Sequence, residues 1–172
     1  KTVASLAHLI EHHDSTGLID HNLRVITVGE TLAKFTDPEA HRDYFVHMKR
    51  LFNSIANLIA NEVGATAILT GENLGQVSSQ TLGNLGAVEE ASHFRMLRPL
   101  LGLDKQEIID EARVLGTYEI ASGPELCDAL GPDRPTTVAD LNRLRGNEAL
   151  QGGLDELAEN CLKSLRMRTL VS

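Results

Sequence analysis

The sequence predicts an α/β fold, with a doubly wound parallel sheet in a three-layer α/β/α arrangement. Two short apolar runs, residues 23–28 and 66–70, predict strands, and each ends at a glycine. Segments with helical periodicity lie before, between and after them, and alternation of this kind favours a parallel sheet. In such a sheet ligands bind outside the carboxyl ends of the strands. The loop that begins at Gly71 is therefore the candidate site.

Composition indicates one globular domain over residues 1–172, with 42% hydrophobic residues to form a core. The net charge of −8, from 24 acidic and 16 basic residues, disfavours broad non-specific attraction to nucleic acid. The two cysteines have neither metal-ligand spacing nor a disulfide pattern, which favours a reducing compartment. No apolar run reaches membrane-spanning length. We expect a cytoplasmic protein with no membrane partner.

The helical segments follow from apolar periodicity. Residues 1–13 predict a helix already in progress at Lys1, so we expect the chain to lack its true start. Residues 39–63 predict the longest helix, strongly amphipathic, with Pro38 in or before its first turn. His8 and His12 lie four residues apart on one helix face, as zinc would require, but no third ligand follows at helical spacing. A metal site is therefore not predicted.

Later segments carry capping and turn signals. Asp104 and Glu107 predict a capping box for a helix that Gly116 ends in the left-handed conformation. Residues 118–120 predict an edge strand. Two C-terminal helices are expected, the first ending at Gly146 and the second carrying a basic cluster in its last turn. The basic cluster consists of Lys163, Arg166 and Arg168.

Residues 66–81 read Thr-Ala-Ile-Leu-Thr-Gly-Glu-Asn-Leu-Gly-Gln-Val-Ser-Ser-Gln-Thr. Glycines at the end of a strand let the backbone approach a ligand closely, although an ordinary polar strand-to-helix loop stays open on residue chemistry alone. The stretch closely resembles the TGE-x-LGQV-x-SQT segment of the tRNA 4-thiouridine synthetases of the ThiI type, which are PP-loop ATP pyrophosphatases. Residues 94–109 are similar to the LRPL-x-GLDK-x-EII segment of the same family. The resemblance is strong over residues 64–135.

This resemblance implies ATP and Mg²⁺ as cofactors, with Mg²⁺ bridging the phosphates. The residues that it places at the nucleotide are Lys49, Gly71, Glu72, Gln76 and Gln80. Without the resemblance, Lys49 reads as a surface lysine whose stem borders the buried helix face. Arg98 and Lys105 are expected either to face phosphate or RNA or to have a conformational or solvent role.

The second chemical candidate is Cys127. Its loop is similar to the family's Cys-x4-Pro-x2-Pro loop, with Pro132 and Pro135 in place, and the resemblance implies a catalytic thiol in sulfur transfer. Many members have two adjacent cysteines, whereas Leu126 stands at the first position here. The alternative for Cys127 is a small buried hydrophobe. Cys161 falls on an apolar helical stripe and is expected in the core.

The resemblance implies uridine adenylation by ATP with release of pyrophosphate, then attack by persulfide sulfur from a cysteine desulfurase. The family's SGG-x-DS loop and first strand, its tRNA-docking THUMP domain and the rhodanese domain of some members do not occur in this sequence. We therefore expect a distal part of a PP-loop domain that is inactive alone and reaches tRNA through a domain outside this chain. A role in thiamine biosynthesis and a homodimeric state stay open.

Two other functions remain in view. One is a nucleotide-binding or assembly module of the same fold that lacks chemistry. The other is a different PP-loop ATP pyrophosphatase, such as an amidotransferase-coupled ligase, which the LGQV-SSQT run disfavours because it resembles the thiouridine branch.

Overall fold

The computed structural model describes residues 1–16, 22–75, 80–123 and 130–170. The helices within these ranges are α1 (Thr2–His13), α2 (Gly29–Ala33), α3 (Tyr44–Val63), α4 (Leu82–Glu89), α5 (Lys105–Val114), α6 (Tyr118–Ala121), α7 (Leu141–Leu150) and α8 (Leu154–Leu162). The strands are β1 (Asn22–Val25), β2 (Ala67–Leu69), β3 (Arg95–Leu97) and β4 (Arg166–Thr169). Single turns of 3₁₀ helix lie at Lys34–Thr36 and His41–Asp43.

Helix α3 is the centre of the molecule. Its apolar stripe buries Leu51 against Leu157 of α8 in one core cluster, and Val46 lies in a second cluster with Leu144 of α7. The helix ends at Gly64, whose φ of 68° is the left-handed cap that glycine adopts without strain. The predicted long amphipathic helix is confirmed, with the 3₁₀ turn taking up its first residues. In the described part of the chain, no helix is both long and apolar enough to cross a membrane.

Strands β2 and β3 pair in parallel, which confirms the parallel α/β character predicted for the candidate site. Ala67 lies opposite Arg95 and Leu69 opposite Leu97. The pairing continues past the strands, because the Thr70 amide donates to the Leu97 carbonyl at 2.9 Å. Parallel strands end at the same edge of a sheet. The loop after β2 and the residues after β3 therefore lie side by side.

Strand β1 does not have the predicted parallel partner. It pairs antiparallel with β4, with Asn22 opposite Thr169 and Val25 opposite Arg166. In the described residues β1 and β2 thus belong to separate two-stranded sheets. The physical reason lies in the turn after α8, where the Ser164 hydroxyl accepts a hydrogen bond from the Thr27 amide at 2.9 Å and fixes that turn beside the end of β1.

The predicted capping box of α5 is confirmed, since Asp104 and Glu107 make both of its hydrogen bonds and Gly116 follows with φ of 71°. Residues 118–120 form helix α6 and not the predicted edge strand. After the left-handed turn at Gly116 the chain folds back on α5, where the Arg113 guanidinium lies 4.8 Å from the centre of the Tyr118 ring.

Two C-terminal predictions are also wrong in detail. Helix α7 continues past Gly146 to Leu150. Its second half is held to α3 through the buried Glu148, so packing outweighs the low helix propensity of glycine. Arg166 and Arg168 lie in β4 and not in the last turn of a helix, because α8 already ends at Leu162.

Candidate functional site

Three charged side chains meet where β2 and β3 end. Glu72 accepts a hydrogen bond from Lys49 Nζ on one carboxylate oxygen at 2.8 Å and from Arg98 Nε on the other at 2.9 Å. Thr70 adds a longer hydroxyl contact to Glu72, at 3.3 Å. On its outer side Arg98 donates through Nη1 to Glu89 at 2.7 Å. We call Lys49, Glu72 and Arg98 the Glu72 cluster.

The Glu72 cluster is largely withdrawn from solvent, with side-chain exposures of 17% for Lys49, 10% for Glu72 and 9% for Arg98. Burial alone would raise the pKa of Glu72, but the hydrogen bonds from Lys49 and Arg98 outweigh it and hold that pKa below its ordinary value. Burial likewise opposes the charge on Arg98, and its bonds to Glu72 and Glu89 raise the pKa of the guanidinium above its usual range. The carboxylate is therefore ionised at neutral pH.

Lys49 occupies the position on α3 that the sequence predicts, between the buried stripe and the sheet edge. A shallow pocket of about 190 Å³ lies beside it. The pocket is lined by Met48, Lys49, Phe52, Asn53, Thr70, Glu72 and Val88. An ammonium group has three N–H donors, and Glu72 accepts one of them at 2.8 Å. Lys49 thus keeps its charge and N–H donors beyond the one that Glu72 accepts, beside a pocket whose lining is mainly apolar.

Gly71 lies one residue before the cluster, with open space beside it. A Cβ built on Gly71 would meet no atom within 4 Å. The residue is exposed and has no positive φ, so the fold itself does not require glycine here. The backbone at Gly71 is therefore open to the approach of a ligand.

Gln80 lies at the other end of the motif. Its backbone carbonyl accepts a hydrogen bond from the Gly75 amide at 3.0 Å, and Thr81 caps the start of α4. The side-chain oxygen of Gln80 is buried and has no hydrogen-bond partner among the described residues. A buried acceptor without a donor is costly and is expected to be satisfied by a bound molecule or water.

Two predicted site residues, Cys127 and Gln76, lie outside the described residues. The structure therefore brings together Lys49, Glu72 and the neighbouring Gly71 and leaves those two untested. Cys161 is 3% exposed, and its thiol lies 3.2 Å from the Thr31 hydroxyl. The prediction that Cys161 belongs to the core is confirmed.

The histidines of α1 stack on one another. The rings of His8 and His12 have centroids 4.3 Å apart, and His8 and His13 both place a ring nitrogen 3.2 Å from the Leu115 carbonyl. Among the residues that the structure describes, no group of three or more His, Cys, Asp or Glu side chains is arranged to hold a metal ion.

The sequence analysis missed a buried polar network next to the site. Arg50 donates through Nε and Nη2 to both carboxylate oxygens of Glu148, at 2.6 and 3.0 Å, and His47 Nδ1 lies 3.2 Å from the same group. A signal was present, since His47, Arg50, Ser54 and Asn57 recur at spacings of three and four along α3. All four are buried.

A second missed residue is Asn84, which is fully buried. Its amide nitrogen donates to the Thr136 carbonyl at 2.9 Å, and its amide oxygen accepts from the Ala139 amide at 2.8 Å. The Thr81 hydroxyl donates to the Thr137 carbonyl at 2.5 Å. The end of the candidate motif is thereby attached to residues 136–139. Short-range sequence patterns carry no signal for bonds that span more than fifty residues.

Solved structures include a protein with the same arrangement of elements. The crystal structure of a 4-thiouridine synthetase–RNA complex with bound ATP superposes with a TM-score of 0.86 at 30% sequence identity, over 96% of this chain and 43% of that protein. The chain therefore has the α/β fold of that synthetase.

Curated proteins with similar sequences are tRNA sulfurtransferases, in agreement with the structural comparison. The probable tRNA sulfurtransferase of Acetivibrio thermocellus is 31% identical over 87% of this chain and 38% of its own length. The tRNA sulfurtransferase of Psychromonas ingrahamii is 45% identical over 60% of the chain and 21% of its length. The probable enzyme of Thermus thermophilus is 45% identical over 65% and 28%. The chain thus spans well under half the length of each.

A family-wide comparison covers most of the chain. The family described as "Thiamine biosynthesis protein (ThiI)" matches residues 1–150. These residues include α1 to α7, the Glu72 cluster and Cys127. The chain belongs to the ThiI family of thiamine biosynthesis proteins.

Proposed function

We propose that this chain is the distal part of the catalytic domain of an ATP-dependent tRNA sulfurtransferase that forms 4-thiouridine. The observation that carries the proposal is the ammonium of Lys49 at the carboxyl end of β2, next to the open backbone of Gly71. It gains weight because the solved structural neighbour is an RNA complex with bound ATP. We infer a cytoplasmic protein, since tRNA is its substrate.

The described residues fit a nucleotide in three respects. Lys49 has donors left for a phosphate group, Gly71 leaves space for a ligand next to its Cα, and Gln80 has a buried carbonyl oxygen without a donor. We assign phosphate binding to Lys49, close backbone approach to Gly71 and a directional amide contact to Gln80. Gln76 is proposed to contact the same ligand.

Glu72 takes a different part from the one that the resemblance implied. Both of its oxygens already accept hydrogen bonds from cations, so we propose that it orients Lys49 and does not contact the nucleotide. For the same reason it is a poor ligand for Mg²⁺. We propose that Mg²⁺ is held chiefly by the phosphates of ATP.

When bound, ATP supplies the adenylyl group that turns the uridine C4 oxygen into a leaving group. Lys49 stabilises negative charge on the phosphates during this step, as fixed cations do in water-poor sites. We propose that a cysteine desulfurase provides the sulfur as a persulfide and that Cys127 carries or resolves it. A thiolate is the reactive form in such exchanges.

Replacing Lys49 tests the nucleotide assignment. In the full gene product, Lys49→Ala should weaken ATP binding by about 1.5–3 kcal/mol, the range for a hydrogen bond to a charged group. Calorimetry measures the change. Lys163→Ala is the matched control, because Lys163 is exposed, lies just after α8 and donates to Asn160. Equal ATP affinity in Lys49→Ala and the parent would remove Lys49 from the site.

Replacing the two cysteines tests the sulfur assignment. Cys127→Ser should abolish thiouridine formation and leave ATP binding intact, because a hydroxyl cannot carry a persulfide. The buried Cys161 provides the control. Cys161→Ser should lower stability by about 1–3 kcal/mol through a poorly paired hydroxyl, and leave thiolation unchanged. Parental thiolation by Cys127→Ser with a persulfide donor would contradict the assignment.

A further inference from the structure

Four charges of alternating sign connect the end of α4 to α3. Glu89 contacts Arg98, Arg98 contacts Glu72, and Glu72 contacts Lys49, at 2.7, 2.9 and 2.8 Å. The inner three side chains are at most 17% exposed, whereas Glu89 is 52% exposed. Solvent screens the outer carboxylate far more than the inner groups.

An isolated Lys49–Glu72 pair would be a weak site for an anion. The two charges lie within hydrogen-bonding distance and nearly cancel at the distance of a third group. The same carboxylate is nevertheless needed, because a lysine side chain has four rotatable bonds and no fixed orientation of its own. Holding the ammonium in place therefore conflicts with keeping its charge available.

We propose that Arg98 is a positioning residue for the nucleotide phosphates: it neutralises Glu72, so that Glu72 fixes the Lys49 ammonium without cancelling its charge. The inference rests on the proposed function of Lys49. It assigns Arg98 to the site indirectly, through Glu72, and gives the Glu72 cluster a net charge of about +1 toward a triphosphate.

The geometry of Arg98 supports a role beyond stabilising the fold. It binds the Glu72 oxygen that Lys49 leaves free, so the two cations do not compete. Its Nη2 is buried and has no hydrogen-bond partner within the part of the chain that the structure describes. A buried donor without a partner lowers stability and calls for an explanation, such as a bound ion or water.

Two variants with opposite charge changes test the proposal in the full gene product. Arg98→Gln leaves Glu72 to cancel Lys49 and should raise the Kd for ATP roughly three- to tenfold, the range for one nearby partly screened charge. Glu72→Gln keeps both cations and should bind ATP at least as tightly as the parent. It should lower kcat instead, because Lys49 is no longer oriented. Arg98→Lys retains the charge and should keep ATP affinity within about twofold of the parent.

Thermal unfolding of each variant reports on folding. Arg113→Gln is the matched control, since it removes an equal charge from α5, where Arg113 pairs with the exposed Asp110. If both Arg98→Gln and Glu72→Gln raise the Kd to a similar extent, the cluster is only structural and the proposal is wrong. If Arg98→Gln does not fold, weaker ATP binding by Glu72→Gln still overturns it. An unchanged Kd in Lys49→Ala refutes the proposed function itself, whereas a change there with none in Arg98→Gln refutes only this inference.

Discussion

Two adjacent residues of α3 bind two different glutamates, with different consequences. Lys49 pairs with Glu72 at the sheet edge, and Arg50 pairs with Glu148 on α7. The Lys49 side chain is 17% exposed, whereas that of Arg50 is 2% exposed. Lys49 makes one described hydrogen bond, but Arg50 donates through Nε, Nη1 and Nη2.

This difference indicates a structural role for the contacts around Glu148 and a binding role for the Glu72 cluster. The partners of Glu148, His47 and Arg50, are both buried. Burial alone would raise the pKa of Glu148, but the hydrogen bonds from His47 and Arg50 outweigh it and hold that pKa below its ordinary value. At Glu72 the ionised carboxylate is equally well paired, yet the lysine keeps spare donors beside a pocket. A buried hydrogen-bonded network rigidifies a core, whereas the N–H donors of Lys49 that Glu72 does not accept are available for binding.

The largest expected effect is on stability, from replacing each of these neighbours. Arg50→Ala should lower the free energy of unfolding by about 3–5 kcal/mol, because it removes the guanidinium that binds both oxygens of the buried Glu148 and leaves only the His47 contact described here. Lys49→Ala should lower it by only about 0–1 kcal/mol, since the pair is partly exposed and Arg98 still binds Glu72. Denaturant unfolding of both variants measures the contrast. Similar losses would show that the two clusters serve the same structural purpose.

Asn84→Ala tests whether a second set of buried polar contacts also stabilises the fold. The substitution leaves the Thr136 carbonyl and the Ala139 amide without their partner and should cost about 2–3 kcal/mol. Thr81→Val is the control, because Thr81 is half-buried and its hydroxyl caps the start of α4. Losing this cap should lower the free energy of unfolding by about 1 kcal/mol. Chemical denaturation gives both values. A loss for Asn84→Ala no larger than for Thr81→Val would mean that solvent replaces the amide contacts.

Acid should weaken both clusters. The pKa values of Glu72 and Glu148 are lowered from an ordinary 4.5. Each therefore contributes stability that is fully present above pH 4.5 and is lost as the pH falls through the folded-state pKa. In Glu148→Gln we expect the free energy of unfolding to fall less steeply with decreasing pH than it does in the parent protein. Measuring the free energy of unfolding at a series of pH values tests this. Glu62→Gln, on the exposed end of α3, is the control. The same pH dependence in both variants would contradict a stabilising role for ionised Glu148.

The smallest expected effect on the fold comes from Gly71→Ala. Because a Cβ there meets no atom within 4 Å and no positive φ is involved, stability should change by less than about 0.5 kcal/mol. Nucleotide affinity should nevertheless fall, since the methyl group occupies the space assigned to the ligand. Melting temperature and ATP calorimetry together test this. Unchanged ATP affinity would place the nucleotide away from Gly71.

Much of the local structure was predictable from the sequence. The capping box at Asp104, the long amphipathic helix, the burial of Cys161 and the parallel strand before Gly71 all depend on neighbours within a few residues. Apolar periodicity and capping express such short-range physics directly. The motif at residues 66–81 likewise indicated the family, because the resemblance rests on consecutive residues.

Only the tertiary structure decided the partners of the charges. Lys49 and Glu72 are separated by 23 positions, Glu72 and Arg98 by 26, and Arg50 and Glu148 by 98. No local pattern fixes such pairs, because they depend on how α3 packs against β2, α4 and α7. The antiparallel pairing of β1 with β4 could not be predicted from the sequence for the same reason. Hydrogen bonding and ion pairing act over about 3 Å, and that proximity is set by the packed core.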